Sequence, residues 1–280
     1  FQTGIVRAHL FPLRPSSKNA WDGLLAVRFP VPLGGGPPVE IQREFGAVLA
    51  RGPAVVHRFS RQITLQPEVT AEASEPTITF LEPVTLTPGT YTLTAVLTEP
   101  GRGDPHASKI TLEVPEVPRK ELFLVDPLLG RVAGGNLVIE GQRVGEDRIR
   151  SETTFEPLLI RDLDDPGELV ALTQVCWVGS KRGPKAKLLQ DASVDRKLRT
   201  ADGRPAGDID PVPLALDEGT RIRCQNLLDT IPASRLKDGE YAFEATLASP
   251  RIDDPPAATV RFAVGDAAAS DRPDPPPQAP

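Results

Sequence analysis

The chain has 280 residues, with 32 Lys and Arg against 38 Asp and Glu for a net charge of −6, 31 prolines, 23 glycines, two cysteines, two tyrosines and no methionine. Proline at about twice its usual share removes backbone donors and fixes φ, which excludes a helix-dominated fold, while 39% hydrophobic and 25% charged residues exclude disorder throughout. The acidic balance and scattered basic residues leave a nucleic-acid partner without an electrostatic footprint, and no apolar run nears the ~18 residues that span a bilayer.

The length suits two domains. The chain opens at Phe1 with neither an initiator Met nor a leader pattern, as expected of a mature product or an excised piece. Strands are expected over 4–11, 23–31, 39–50, 54–65 and 77–82, separated by Pro and Gly punctuation. Trp21 falls in a polar turn, Lys-Asn-Ala-Trp-Asp-Gly, and is with Trp177 one of two aromatics that an exposed sugar platform would need. The run Gly34-Gly35-Gly36 precedes two prolines and reads as a turn, not as a phosphate cradle.

An internal repeat organises the rest. Residues 86–114 and 236–264 align without a gap at an offset of 150, and ten of 29 positions are identical, among them Gly89/Gly239, Tyr91/Tyr241, Ala95/Ala245 and Leu97/Leu247. In each copy a Pro-Gly or Asp-Gly turn leads into a strand with period-2 alternation, then a polar loop, then a second such strand. Both copies therefore end a domain on a β-hairpin. Both tyrosines occupy the same place in the copies, at the start of the next-to-last strand, where a tyrosine corner bonds backbone a few residues upstream. The boundaries that follow are 1–115, a proline linker at 116–120, and 121–265.

In the second domain strands are expected over 122–126, 135–140, 153–161, 168–178 and 219–226, in addition to the closing hairpin. The stretch 181–210 is polar and patternless and reads as an insertion, with a short helix around 188–198 as one form it could take. Residues 266–280, DAAASDRPDPPPQAP, read as a disordered, extended tail. The expected fold class is all-β, with two tandem immunoglobulin-like Greek-key sandwiches.

Two sandwiches that each end in a Leu-x-Pro/Asp-Gly-x-Tyr turn and closing hairpin, with the strand Ala171-Leu172-Thr173-Gln174-Val175-Cys176-Trp177-Val178-Gly179 within the second, resemble the C-terminal region of secreted bacterial proteins that carry a von Willebrand factor A-type domain upstream. The resemblance implies a secreted or periplasmic, cell-envelope location and an A-type domain before Phe1. In that family the A-type domain holds a metal through an Asp-x-Ser-x-Ser loop. The nearest string here, Asp191-Ala192-Ser193-Val194-Asp195, has the wrong last residue, so the metal site is not carried over.

Four further groups are candidate sites. Cys176 and Cys224 fall on positions in step with Val170 and Ile222, taken as inward-facing, and are either a disulfide closing about 48 residues or two buried thiols, with Trp177 beside them at the rim. Arg102-Gly103-Asp104 stands at the tip of the first closing hairpin, either as an adhesion loop or as a turn that needs glycine; the second copy has Arg251-Ile252-Asp253 there. Asp162, Asp164 and Asp165 on one loop and Asp253 and Asp254 on the last hairpin loop, expected at one end of the second sandwich, are candidate ligands for calcium, the one cofactor that the residues suggest. The histidines His9, His57 and His106 stand beside no nucleophile motif, His57 is expected to point outward from its strand, and no nucleophile elbow, zinc-helix or Cys-x-x-Cys motif is present. The sequence therefore predicts no enzyme and no catalytic residue. It predicts an extracytoplasmic spacer that meets a protein partner or neighbouring domain, with a glycan- or calcium-linked adhesion module as the alternative and an enzyme hidden in 181–210 as the third.

Overall fold

The computed structural model describes residues 7–30, 41–65, 77–98, 106–131, 137–143, 150–158, 162–163, 167–179, 184, 189–216 and 221–265. The chain divides into two compact units, Phe1–Val117 and Pro118–Pro280, and both are β-sandwiches. The tail 266–280 lies outside the described residues.

The first unit has seven strands, β1 (Arg7–Ser17), β2 (Ala20–Pro30), β3 (Ile41–Arg51), β4 (Ala54–Leu65), β5 (Thr77–Leu86), β6 (Gly89–Thr98) and β7 (His106–Val114). They form a sheet in the order β1-β2-β5 and a second in the order β4-β3-β6-β7. The fourth strand thus pairs with the third, where a constant-type immunoglobulin domain places it beside the fifth. Alternation decides which side chains face inward. In β6 the residues Tyr91, Leu93, Ala95 and Leu97 are buried while the threonines between them are half-buried, and across the gap Phe45 of β3 stacks on Phe80 of β5 with ring centroids 4.6 Å apart. Burial of each of the large side chains Leu93, Leu97 and Phe45 stabilises the unit by about 1.5–3 kcal/mol relative to exposure.

The second unit repeats this plan with additions. Its strands are β8 (Leu122–Arg131), β9 (Leu137–Arg143), β10 (Arg150–Pro157), β11 (Asp162–Leu163), β12 (Leu169–Val178), β13 (Ser193–Thr200), β14 (Pro205–Pro213), β15 (Ile222–Ile231), β16 (Gly239–Ala248) and β17 (Ala257–Val264). The β8-β12-β15 sheet matches β1-β2-β5, and β14-β13-β16-β17 matches β4-β3-β6-β7. Strands β6 and β16 have the same burial pattern residue by residue, as their shared sequence requires.

The extra residues of the second unit lie between its first and second core strands, where β9 and β10 bridge the free edges of β8 and β15 and close a five-stranded ring. Strand β12 consequently has two interior faces. Leu169, Ala171, Val175 and Trp177 point into the sandwich, while Val170, Leu172, Cys176 and Val178 point into the ring, and all ten residues of the strand are buried. A strand buried on both faces reads as a near-continuous apolar run, and LVALTQVCWV is one broken only by Thr173 and Gln174.

The expected insertion at 181–210 is corrected by these strands. Ser193–Thr200, within the stretch where a short helix was expected, is the third core strand of the unit, and Pro205–Pro213 is the fourth, while 181–183 and 185–188 lie outside the described residues. The pattern was hidden because the inward positions of β13 are Val194, Arg196 and Leu198, so a charged residue occupies the middle of an apolar alternation.

Candidate functional site

Arg196 and Asp229 are the chemically richest pair in the described interior. Both side chains are almost fully buried, at 0% and 2% exposure. Arg196 Nε and Nη2 donate to the two carboxylate oxygens of Asp229 at 3.0 and 3.1 Å, and the guanidinium also donates to the carbonyls of Val194 and Asp210. The fork-on-carboxylate geometry is the strong form of ion pair. It joins β13 in one sheet to β15 in the other.

Register explains the placement. In the first unit Ala47 of β3 pairs with Ala95 of β6, and in the second Arg196 of β13 pairs with Ala245 of β16, the repeat's equivalent of Ala95. Arg196 therefore stands where the first unit has Ala47. Val194 and Leu227 belong to one apolar cluster and Leu198 and Ile231 to another, with Arg196 and Asp229 between them, so the pair divides the core of the second unit in two. Thr173, also between the clusters in sequence, is fully buried, and its hydroxyl is the one buried side-chain group without a hydrogen-bond partner among the described residues. Burial pushes the Asp229 carboxyl above its usual range, against the hydrogen bonds and charge of Arg196 that pull it down. Both side chains are sealed from solvent and the guanidinium is committed to Asp229, Val194 and Asp210, so the pair holds the two sheets together.

The predicted sites fall out as follows. Cys176 and Cys224 form a disulfide between directly opposed residues of β12 and β15, on the ring side of the sheet and not between the two sheets. Trp177, expected at the rim, is buried at 4% exposure and packs with Val194 and Leu247 in the sandwich core, so the alternation of β12 runs one residue out of step with the reading that faced Cys176 inward.

Trp21 is buried too. Its Nε1 donates to the Pro115 carbonyl at 2.9 Å, which anchors the end of the first unit, and the crevice that it lines with Leu10, Gly23 and Val84 holds no water-sized space. It is no sugar platform.

The aspartates are separated. Asp162 pairs with Ala263 near the end of β17, whereas Asp253 and Asp254 are exposed on the loop before Ala257, six residues or about 20 Å away along the strand. The sequence reading placed both at one end of the sandwich, but β11 runs parallel to β17 and so meets its far end. Asp164 and Asp165 lie outside the described residues, as do Arg102, Gly103 and Asp104. Among the described residues no group of three or more His, Cys, Asp or Glu is placed to hold a metal.

Tyr91 Oη donates to the Thr87 carbonyl at 2.7 Å, and Tyr241 Oη donates to the Lys237 carbonyl at 2.9 Å while accepting from the Lys237 amide at 2.8 Å. Gly89 and Gly239, two residues before each tyrosine, have φ of 137° and 151°, where a side chain is strained.

His57 points inward, contrary to expectation, because β4 has a bulge at Val56. Val55 pairs with the outward Ala50, and after the extra residue His57 pairs with the inward Leu49. His57 Nε2 lies 3.1 Å from Glu82 Oε1, and Arg61 Nη2 donates to Glu82 Oε2 at 2.9 Å. Glu82 of β5 thus ties the two sheets along one side of the first unit. The same bulge leaves Val55 and Val56 at 60% and 44% exposure beside Val48 at 37%, and these three are the exposed large hydrophobics among the described residues. Sequence reasoning missed this patch, since Val55 and Val56 read as part of an ordinary strand.

No protein-family model and no curated protein matches the chain. Among solved structures, a β-glucuronidase of Parabacteroides merdae is similar over 91% of this chain and 30% of its own length, at 11% identity and a TM-score of 0.26. The chain thus spans under a third of that enzyme, and a likeness of this size assigns no activity. Among the described residues no helix is long and apolar enough to cross a membrane.

Proposed function

We propose that the chain is a non-catalytic, extracytoplasmic spacer and protein-interaction module, from a secreted or cell-envelope bacterial protein of the kind that carries an A-type domain upstream. The observation that carries the reading is the division of labour between interior and surface. The buried polar pair and both tryptophans are committed to packing, and among the described residues the exposed large hydrophobics gather on one hairpin, β3 and β4. Exposed apolar residues gathered in one place mark interaction surfaces. The disulfide suits an oxidising compartment.

Site-specific photocrosslinking on the intact protein, in the cells that make it, tests the reading. A benzophenone side chain is placed in turn at Val55, Glu113, Arg204 and Asp254, which are exposed positions on both units. The expected result is a reproducible protein adduct from at least one position. Folded protein that yields no adduct from any of them contradicts the reading.

A further inference from the structure

Every exposed sheet edge has unpaired backbone donors and acceptors, and proteins blunt such edges with proline, charge or a covering segment. The edges described in this chain differ in that respect. Strand β14 opens on Pro205, closes on Pro213 and contains Pro211. Strands β1 and β5 contain Pro12, Pro15 and Pro83, β7 has β1 beside it, and β11 lies along the end of β17. Strand β4 occupies in the first unit the place that β14 occupies in the second, yet it runs twelve residues without a proline. Its bulge at Val56 is confined to the hairpin end, and from His57 to Leu65 its pairing with β3 is unbroken.

The chemistry of this edge selects its occupant. Val55 and Val56 are exposed, with Val48 beside them on β3, and these supply an apolar contact. Arg58 is exposed on the outward face opposite Val48, and Arg61 is exposed although one of its nitrogens is bonded to Glu82. Between Ala54 and Leu65 there is no acidic residue. The nearest carboxylate on the outward face is Glu44, opposite Gln62 toward the far end. A second copy of β4 laid against the first would bring arginine near arginine, so the charge pattern argues against self-pairing and for a complementary acidic strand.

We infer that β4 is a docking edge that accepts an extended, acidic–apolar segment of a partner protein as an added strand. Main-chain hydrogen bonds supply the affinity, and carboxylates near Arg58 with apolar residues near Val55 supply the selectivity. The inference rests on the interaction-module reading and names its surface and partner chemistry.

The test is a titration of the intact chain, followed by backbone amide shifts, with a capped eight-residue peptide of alternating Glu and Val and with its Lys/Val counterpart. The Glu/Val peptide shifts amides within 54–65 saturably, and Arg58→Glu weakens it at least about tenfold and turns the preference toward Lys/Val. Arg58→Gln, which removes the charge without reversing it, weakens it less and guards against a folding artefact in the charge reversal. Shifts confined to β7 or β14, equal response to both peptides, or a chain dimer that Val55→Lys dissolves would each overturn the inference. The titration reads this edge alone. Its failure beside a crosslinked protein at another surface removes the edge and leaves the module, whereas the absence of any adduct removes the module itself.

Discussion

Arg196 and Asp229 face each other across the core of the second sandwich, two nitrogens to two oxygens at 3.0 and 3.1 Å, at a level where the first sandwich has Ala47. The same architecture therefore forms with and without a buried charge pair. Removal of two charges from water costs several kcal/mol per ion, and the mutual attraction offsets this only while both partners are present.

Arg196→Met alone leaves the Asp229 carboxylate buried without its partner and is expected to destabilise the second unit by about 3–5 kcal/mol. Arg196→Met with Asp229→Leu is expected to return the unit to wild-type stability or above it. Urea unfolding followed by Trp177 fluorescence checks both. A double variant as unstable as the single would show that the pair adds more than its desolvation costs.

The raised carboxyl of Asp229 gives a pH dependence of defined sign. The folded chain holds this proton more tightly than the unfolded chain, whose Asp titrates near the usual 3.8, so the group's contribution is full below that value and is lost as pH rises through the folded one. Wild type should thus lose stability relative to Asp229→Asn as pH rises above about 4. The two unfolding free energies measured in parallel across that range would show a gap of the opposite slope if Arg196 outweighed burial.

The two corners should differ in a graded way. Tyr91→Phe removes hydrogen bonds to the Thr87 carbonyl and to the exposed Thr87 hydroxyl, which keeps Arg51 as a partner, and is expected to cost about 0.5–1.5 kcal/mol, whereas Tyr241→Phe strands the Lys237 amide as well as losing the Lys237 carbonyl and is expected to cost about 1–3 kcal/mol. At the preceding turns both glycines have positive φ, but a Cβ at Gly89 would come within 2.8 Å of the Arg51 guanidinium while one at Gly239 meets nothing within 4 Å. The exposed Arg51 guanidinium can swing aside, so Gly89→Ala and Gly239→Ala should cost a similar amount, set by the backbone strain that both positions share. Thermal melts of the four variants decide the order.

The closing hairpins were legible in the sequence because both of their strands alternate and a strict offset of 150 doubled the signal. The all-β class followed from proline usage and the same alternation, and of the two cysteine readings left open the structure has the disulfide. Strand β13 was not legible, because Arg196 replaces an apolar residue at its central inward position, and only its cross-sheet partner Asp229 makes that placement tolerable. Nor was the direction of His57 legible, since one extra residue at Val56 reverses every side chain beyond it. The aspartates were misplaced together because the two-residue strand β11 has no pattern by which its parallel pairing could be read.

Amide hydrogen exchange on the intact chain tests most directly the central claim, that the chain is two copies of one sandwich with structural interiors and with β4 an edge strand that has no outer neighbour among the described residues. Amides of Ser193–Thr200 should be protected to the same degree as those of Gly239–Ala248, with which they pair, while alternate amides of Ala54–Leu65 exchange fast. Exchange of 193–200 at the rate of a loop would contradict the account, because the second sandwich would then lack the strand that holds its sheet together.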